Sequence, residues 1–517
     1  MFTPFQNEPY VNFAEPDVRS KMLSALRKVE SELGKTYLPV IGGQRVETGQ
    51  VASSVNPARR EQVIGYVHEA TESLAESAVQ AGGEAFRSWS RVPVDVRARY
   101  LVKVAALLRR RIYEFSAWMV MESSKSWLEA YADAAEAVDF LEFYAREAVR
   151  ICRPHPTTDY SGEENEVMYL PMGVGVSISP WNFPLAIMAG MAVSAVVVGN
   201  TVIMKPAEQT PVIAAKFMEL LEEASLPPGV INFLPGRGEI IGEYLTGHTQ
   251  IPFVSFTGSR DVGLHIYQRA ATPQPGQRWL KRAVLEMGGK DATVVDEGVD
   301  LDAVAEGVVA GAFGFQGQKC SACSRLIAHT AIYDALLEKV VERAKALTLG
   351  NPASPDNVNI GAVIDEEAYQ KIRSYIEIGR SEGRVVLDGS GADASEGWFL
   401  APTIVADVAP SARIAQEEIF GPVLAVIRAD DFDHALAIAN DTDYGLTGAL
   451  YSNNREHLER ARHEYMVGNL YLNRKCTGAL VDVQPFGGFK MSGTDSKAGG
   501  RDYLHHFLLA KSVSERW

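Results

Sequence analysis

The stretch VGVSISPWNFPLAIMAGMAVSAVVVGNTVIMKPAE, residues 174–208, decides the fold. Val174 to Ile178 is a short run rich in β-branched residues with no strict polar alternation, the pattern of a strand buried on both faces. Leu185 to Gly199 is almost wholly apolar, and Thr201 to Met204 is a second β-branched run. A strand, a buried helix and another strand in succession make the unit from which parallel sheets covered on both faces are built. No charged residue occurs from Val167 through Met204, yet a membrane span is rejected. The apolar run is shorter than the ~20 residues a bilayer requires, and Pro180, Asn182 and Pro184 interrupt its approach.

Outward from this stretch the alternation continues. Strand runs are read at Val230 to Leu234, Val254 to Phe256 and from Val284 onward. After about residue 290 more follow at Ala292 to Val295, Arg325 to Ala328, Val385 to Leu387, Val423 to Arg428 and Leu470 to Asn473. Between them lie amphipathic helices, one marked by Leu101, Val104, Ala105, Leu108 and Ile112, another near Ala335 to Leu347. The reading is an α/β protein with two doubly wound parallel-sheet domains, its ligands beyond the carboxyl ends of the strands. A chain of 517 residues also exceeds the usual size of one core, so a cleft between domains is expected. The polar segment Arg153 to Glu166 and a strand at Phe507 to Val513 read as a small β arm and tail for subunit contacts.

A net charge of -15 opposes a general nucleic-acid binder or a protein of anionic membrane surfaces, since both would repel it. The start, MFTPFQNEPYVNF, carries no basic stretch followed by an apolar core, so the cytoplasm is expected. Cys152, Cys320, Cys323 and Cys476 are too sparse for a disulfide framework, which agrees with a reducing compartment.

Chemistry concentrates in three segments. In FGFQGQKCSACSR, Phe313 to Arg325, small residues crowd Cys320, as close approach by a ligand requires. A thiol becomes a nucleophile as thiolate, for which Lys319 or the following turn could supply the positive field; a buried inert thiol is the other reading. Cys320 with Cys323 also matches a redox C-x-x-C, though the surroundings do not resemble the small unit that usually carries it. In LEMGGK, Glu286 at a strand end suits a general base if apolar surroundings raise its pKa, or else a helix cap or lysine partner. In ISPWNFP, prolines fix the backbone around Asn182, whose amide could donate to an oxyanion or serve the turn alone.

Dinucleotide signals are weaker. Gly236, Gly238 and Gly242 depart from the usual glycine spacing. VSFTGS, ending in Gly258 and Ser259, is a strand meeting a turn before a helical stretch from Asp261, where backbone N–H groups can hold a phosphate. Lys205 and Glu208 follow a strand and could reach ribose hydroxyls or form a surface ion pair.

PWNFP, MKPAE, FTGS, LEMGGK, GQKCSA, EEIFGPV and PFGGFKMSG occur in an order that resembles the aldehyde dehydrogenase superfamily over roughly residues 38 to 510. The resemblance implies an NAD-binding domain of residues 1–152 and 172–286, a catalytic domain of 287–477, and an oligomerisation arm and tail of 153–171 and 495–517. It implies Cys320 as nucleophile, Asn182 with the Cys320 N–H as oxyanion site, and Glu286 as the base that activates water. Around NAD it places Ser179, Pro180, Trp181, Lys205, Glu208, Gly238, Gly258, Ser259, Glu418 and Phe420, with Glu208 disfavouring the 2′-phosphate of NADP. No metal is implied.

A narrower resemblance is to the L-glutamate γ-semialdehyde dehydrogenases, which carry out the second step of proline catabolism. The loop KCTGAL, Lys475 to Leu480, would grip the amino-acid end of the substrate through Gly478 and Ala479 N–H groups, with Ser321 adding a hydroxyl. Glu136 resembles a residue of the substrate pocket, and Phe183 and Phe486 an aromatic pair around the aliphatic chain. The partners so implied are the small substrate, a second copy in a dimer or higher oligomer, and a proline dehydrogenase that channels the substrate. A broader-range or acylating aldehyde dehydrogenase is the alternative, the acylating form being opposed by Glu286. A non-catalytic binding relative is opposed by intact Cys320, Glu286 and Asn182.

Overall fold

A computed structural model describes residues 2–517. Two seven-stranded sheets form its body. In the first, the strands run in the spatial order Arg282–Glu286, Phe253–Thr257, Val174–Ile178, Thr201–Lys205 and Ile231–Phe233, all parallel, and the hairpin Val40–Ile41 with Gln44–Arg45 closes the edge. In chain order the parallel part of this sheet starts at Val174–Ile178, builds two strands to one side, then returns to the other. The order therefore reverses between Val174–Ile178 and Phe253–Thr257, where Ile178 lies opposite Phe256. A crevice opens beyond the carboxyl ends of strands at such a reversal, and ligands sit there.

The second sheet has the order Arg384–Leu387, Thr403–Ala406, Val423–Ala429, Arg325–His329, Ala292–Val295, Thr447–Tyr451 and Asn469–Leu472. It is parallel except for Arg384–Leu387, which pairs antiparallel at the edge. A parallel pairing needs a covering crossover, usually a helix. The connection from Leu387 to Thr403 contains none, so the chain turns back on itself. Only Met287 to Asp291 separates the last strand of the first sheet from the first strand of the second. The carboxyl edge of one sheet thus abuts the amino edge of the other.

The apolar run of the opening stretch is a buried helix, Ala186–Val197. It packs on the long helix Trp127–Ile151, with Gly190 leaving room for the Phe140 ring. Asp133 on that long helix accepts the N–H of Ala186 at 2.7 Å and so fixes the start of the buried helix. The amphipathic pattern through Ile112 is two helices rather than one: Val94–Arg110 ends at Arg111, and Ile112 opens Ile112–Ser123. The C-terminal strand covers Leu508–Arg516 and pairs antiparallel with Glu163–Pro171, Leu508 facing Pro171 and Arg516 facing Glu163. With His155–Pro156 these strands form a separate three-stranded arm. Among the described residues no helix is long and apolar enough to cross a membrane.

Candidate active site

A cavity of about 980 Å³ occupies the crevice at the reversal of the first sheet. Ser179, Pro180, Trp181, Lys205, Glu208, Gly238, Gly258, Ser259, Glu418 and Phe420 line it, and so do Asn182 and Cys320. Lys205 is not a surface cation: it is buried, 3.5 Å from Glu208, and desolvation holds its ammonium below the usual lysine range. Glu208 is half-exposed and accepts the Gly238 N–H at 2.7 Å, which draws the Gly238 turn over the cavity rim. Ser259 caps the helix Arg260–Ala271, whose amino end opens into the same space. Trp181 meets Phe420 edge to face at 5.4 Å. Phe420 has φ +60, and Phe315, also against Trp181, has φ +49 with Gln316 at +57. Left-handed backbone at such residues is costly and persists where surrounding contacts over-determine it.

Those contacts converge on the loop that presents Cys320. Gln316 Nε2 donates to the Ser124 and Ala362 carbonyls at 3.2 and 2.8 Å, and Gln318 Oε1 accepts the Ile364 N–H at 2.9 Å. Gly317 sits at φ +67 against the Gly421 backbone, where a side chain would collide. Asn182 donates one amide hydrogen to the Gln318 carbonyl at 3.1 Å, tying the PWNFP turn to this loop. Cys320 is half-buried and lines the cavity, so its thiol is not sealed in the core.

Its electrostatics correct the sequence reading. Lys319 does not serve the thiol, because its ammonium lies 2.6 Å from Glu129. Desolvation and then the carboxyls of Asp291, Glu286 and Glu418 push the Cys320 thiol above its ordinary range, while the Ser321 N–H of the following turn acts in the opposite direction, as expected of that turn. The C-x-x-C pairing is absent as well: Cys323 is buried with its sulfur 3.2 Å from Thr293 Oγ1 and beside Cys476, and all the cysteines are free.

Glu286 ends its strand with a carboxyl that burial pushes up to about 8. Ser496 donates its hydroxyl to Glu286 Oε1 at 2.5 Å, while Oε2 is buried without a partner. The carboxyl does not line the large cavity, yet it is close enough to raise the Cys320 thiol. Lys290 is not its partner, being buried and itself unpaired, with an ammonium lowered to about 7 by desolvation.

The residues expected around a substrate lie apart from that cavity. Ser321 and Thr477 share a hydrogen bond of 2.8 Å, which joins the Cys320 loop to the loop of Gly478 and Ala479. Arg474 Nη2 donates to the Thr477 and Gly478 carbonyls, both at 3.1 Å, and Gly478 has φ +84. The N–H groups of Gly478 and Ala479 meet no acceptor among the described residues. Phe486 is held by a pair of backbone hydrogen bonds with Ala498. Phe183 carries the Lys125 ammonium 3.9 Å from its ring centre, and Glu136 is half-buried with a carboxyl at about 8. Lys125, Glu129 and Ser496 were missed from sequence. Lys125 has a legible signal, a lone cation before a helix rich in apolar residues; nothing near Ser496 distinguishes it.

The sequence pattern of the aldehyde dehydrogenase family matches residues 45–513. The 1-pyrroline-5-carboxylate dehydrogenase of Geobacillus thermodenitrificans is 57% identical, with 100% of each chain covered. A solved structure of 1-pyrroline-5-carboxylate dehydrogenase from Thermus with bound NAD is 53% identical, with a TM-score of 0.98 and 100% of both chains covered. Proline utilization A from Bdellovibrio bacteriovorus is 44% identical with a TM-score of 0.97, and there the match takes 99% of this chain but 53% of the other. With the Cys320 thiol and the Asn182 amide lining one crevice and a family pattern spanning nearly its whole length, the chain belongs to the aldehyde dehydrogenase family.

Proposed function

We propose that the protein oxidises L-glutamate γ-semialdehyde, the open form of 1-pyrroline-5-carboxylate, to L-glutamate with NAD. The observation that carries this reading is the Ser321–Thr477 hydrogen bond, which fixes two unoccupied backbone donors, Gly478 and Ala479 N–H, beside the loop of Cys320. A small aldehyde with an α-carboxylate is matched by such donors, because each backbone N–H bonded to a carboxylate is charge-assisted.

The cavity fits a dinucleotide. Its volume suits an extended ligand, its amino-terminal helix end suits a bridging diphosphate, and the Lys205–Glu208 pair suits ribose hydroxyls. Ser179 to Trp181, Gly238, Gly258 and Ser259 would hold it there, and Glu418 with Phe420 would hold its reactive end near Cys320. The chemistry NAD supplies when bound is hydride uptake, which turns a thiohemiacetal on Cys320 into a thioester.

The chain's own residues do the rest. The Cys320 S–H bond breaks, its proton leaving to solvent, as the sulfur attacks the aldehyde carbon; the C=O π pair moves to the oxygen, which meets the second amide hydrogen of Asn182 and the Cys320 N–H. Asn182 is already immobilised through Gln318, so little reorganisation accompanies the step. Phe183 and Phe486 flank the aliphatic chain, and Glu136 lies in the wall of that pocket. After oxidation Glu286 removes a proton from water, the hydroxide adds to the thioester, and the carbon–sulfur bond breaks to release the acid. Residues 1–152 with 172–286 form the cofactor domain and 287–477 the catalytic domain. The arm of 153–171 with the strand Leu508–Arg516, the end of the 495–517 tail, is a contact for a second subunit. That a long chain such as proline utilization A contains this architecture as about half its length supports a partner enzyme that supplies the semialdehyde.

The test compares turnover of L-glutamate γ-semialdehyde, succinate semialdehyde and acetaldehyde with NAD, with and without coenzyme A. The amino-acid semialdehyde is expected to show the highest kcat/KM with no dependence on coenzyme A. Equal values for all three aldehydes, or a product that requires coenzyme A, overturn the assignment.

A further inference from the structure

The hydrolytic carboxylate is built by two segments more than two hundred residues apart. Gly493 bridges Glu286, the Met287 N–H reaches the Ser492 carbonyl at 2.7 Å, and the Thr494 N–H reaches the Leu285 carbonyl at 2.9 Å. Leu285 N–H in turn donates to Thr494 Oγ1 at 3.0 Å. The segment Ser492 to Lys497 therefore lies clamped along the end of the strand. Its backbone takes positive φ at Gly493, Asp495 and Lys497, a conformation that the clamp has to hold. The result is that Ser496, itself buried, aims its hydroxyl at Glu286 Oε1 from 2.5 Å.

No other side chain among the described residues hydrogen-bonds that carboxyl, although the Ser496 backbone N–H also favours its charged form. Lys497 is close but spends its ammonium on the Gly468 and Gly487 carbonyls at 2.7 and 2.8 Å and on Asp495 at 3.0 Å. Glu286 Oε2 is left buried and without a partner. A buried polar atom with no protein partner is accounted for by strain, a catalytic role, or a water or ion that binds it. In a carboxylate that must take a proton from water, the partner is that water.

We propose that Ser496 is a positioning residue for hydrolysis: its hydroxyl pins Glu286 Oε1, so that Oε2 is the oxygen that meets the attacking water. The inference rests on Glu286 being the base of the proposed reaction. The water's O–H bond breaks as the Oε2–H bond forms, the hydroxide adds to the acyl carbon, and the pair of the carbon–sulfur bond returns to Cys320. Ser496 keeps its own proton throughout. A hydrogen bond donated to the charged form also favours that form, so the serine lowers the pH at which the base becomes available. The charged and titratable groups that face the carboxyl are Lys497 and Asp495 on the same segment, Cys320 across the active site and Tyr503 from the C-terminal turn. His506 lies behind, its Nε2 3.1 Å from the Ser496 carbonyl. None of them replaces the serine's direct bond.

The experiment follows the NADH burst and the steady-state rate of the full-length enzyme with the semialdehyde, from neutral to alkaline pH, in S496A, S496T and E286Q. In S496A the burst, which reports thioester formation, is expected to keep its rate. The steady-state rate should fall about tenfold at neutral pH, and its rise with pH should move about one unit upward. S496T, which keeps the hydroxyl, should restore the wild-type profile, and S496G serves if S496A does not fold. Burst and steady state slowed alike with an unmoved pH profile overturn the role of Ser496. An inactive E286Q beside an unmoved S496A profile sinks the serine alone, whereas rapid hydrolysis by E286Q removes Glu286 from the reaction and the inference with it.

Discussion

Lys319 and Glu129 lie 2.6 Å apart, so the cation next to Cys320 is neutralised by a carboxylate from the helix Trp127–Ile151 and is not offered to the thiol. Burial and the nearby carboxyls of Asp291, Glu286 and Glu418 then govern Cys320, and all of them favour the protonated sulfur. The enzyme without cofactor should accordingly rest with a neutral thiol. Alkylation of Cys320 by iodoacetamide, followed by mass spectrometry against C320A, is expected to keep accelerating with pH beyond the ordinary thiol value of 9.0. A plateau near neutrality would show a resting thiolate instead.

Removing the sulfur separates chemistry from binding. Cys320 lines the cavity at one point, whereas Lys205, Glu208, Ser259 and Glu418 line the rest. C320A is expected to form no NADH yet to bind NAD within about twofold of the parent, since it changes one small contact of many. Turnover and fluorescence titration read the two quantities. Full turnover in C320A would exclude the thiol from the mechanism.

The pH dependence of hydrolysis follows from Glu286. Burial raises its carboxyl to about 8, so below that value the group carries a proton and cannot accept another. Steady-state turnover limited by hydrolysis should therefore fall about tenfold for each pH unit below it and level off above. In E286Q the acyl group should remain on Cys320 as a mass increase of the whole protein. A flat profile through neutral pH contradicts the assignment.

Ser321 tests substrate-end recognition. Its hydroxyl is bonded to Thr477 at 2.8 Å and its side chain is buried, so S321A leaves the Thr477 hydroxyl without its partner and loosens the loop of Gly478 and Ala479. Loss of about one hydrogen bond's worth of binding corresponds to roughly a tenfold rise in KM for L-glutamate γ-semialdehyde. The KM for an uncharged aldehyde of the same length should barely change. Equal changes for both substrates would argue against an anchor.

In the proposed reading Glu208, half-exposed and bonded through Oε1 to the Gly238 N–H, sets the cofactor preference. A carboxylate at that position repels a 2′-phosphate. E208Q keeps the hydrogen bond and removes the charge, and is expected to improve kcat/KM for NADP relative to NAD by about tenfold. An unchanged ratio would place the discrimination elsewhere.

Most strands of both sheets were legible in sequence because burial on two faces demands β-branched runs, as at Val174–Ile178 and Ala292–Val295, whose bounds match the structure, but Thr403–Ala406, Thr447–Tyr451 and the hairpin Val40–Ile41 with Gln44–Arg45 were not read. The edge strand Arg384–Leu387 was legible as a strand but not in its direction, which a helix-free connection decides. Likewise the break at Arg111 is invisible in a heptad-like pattern that two consecutive helices happen to share.

Local sequence determined which atoms are present and how their own backbone runs: a thiol among small residues, an amide between prolines, a carboxyl at a strand end. Tertiary structure alone decided their charge states and partners. Glu129 takes Lys319 from Cys320 across 190 residues, and Ser496 reaches Glu286 across 210. Proton affinity in a protein is set by burial and by charges close in space, and proximity in space between such distant residues exists only once the two sheets have closed on each other.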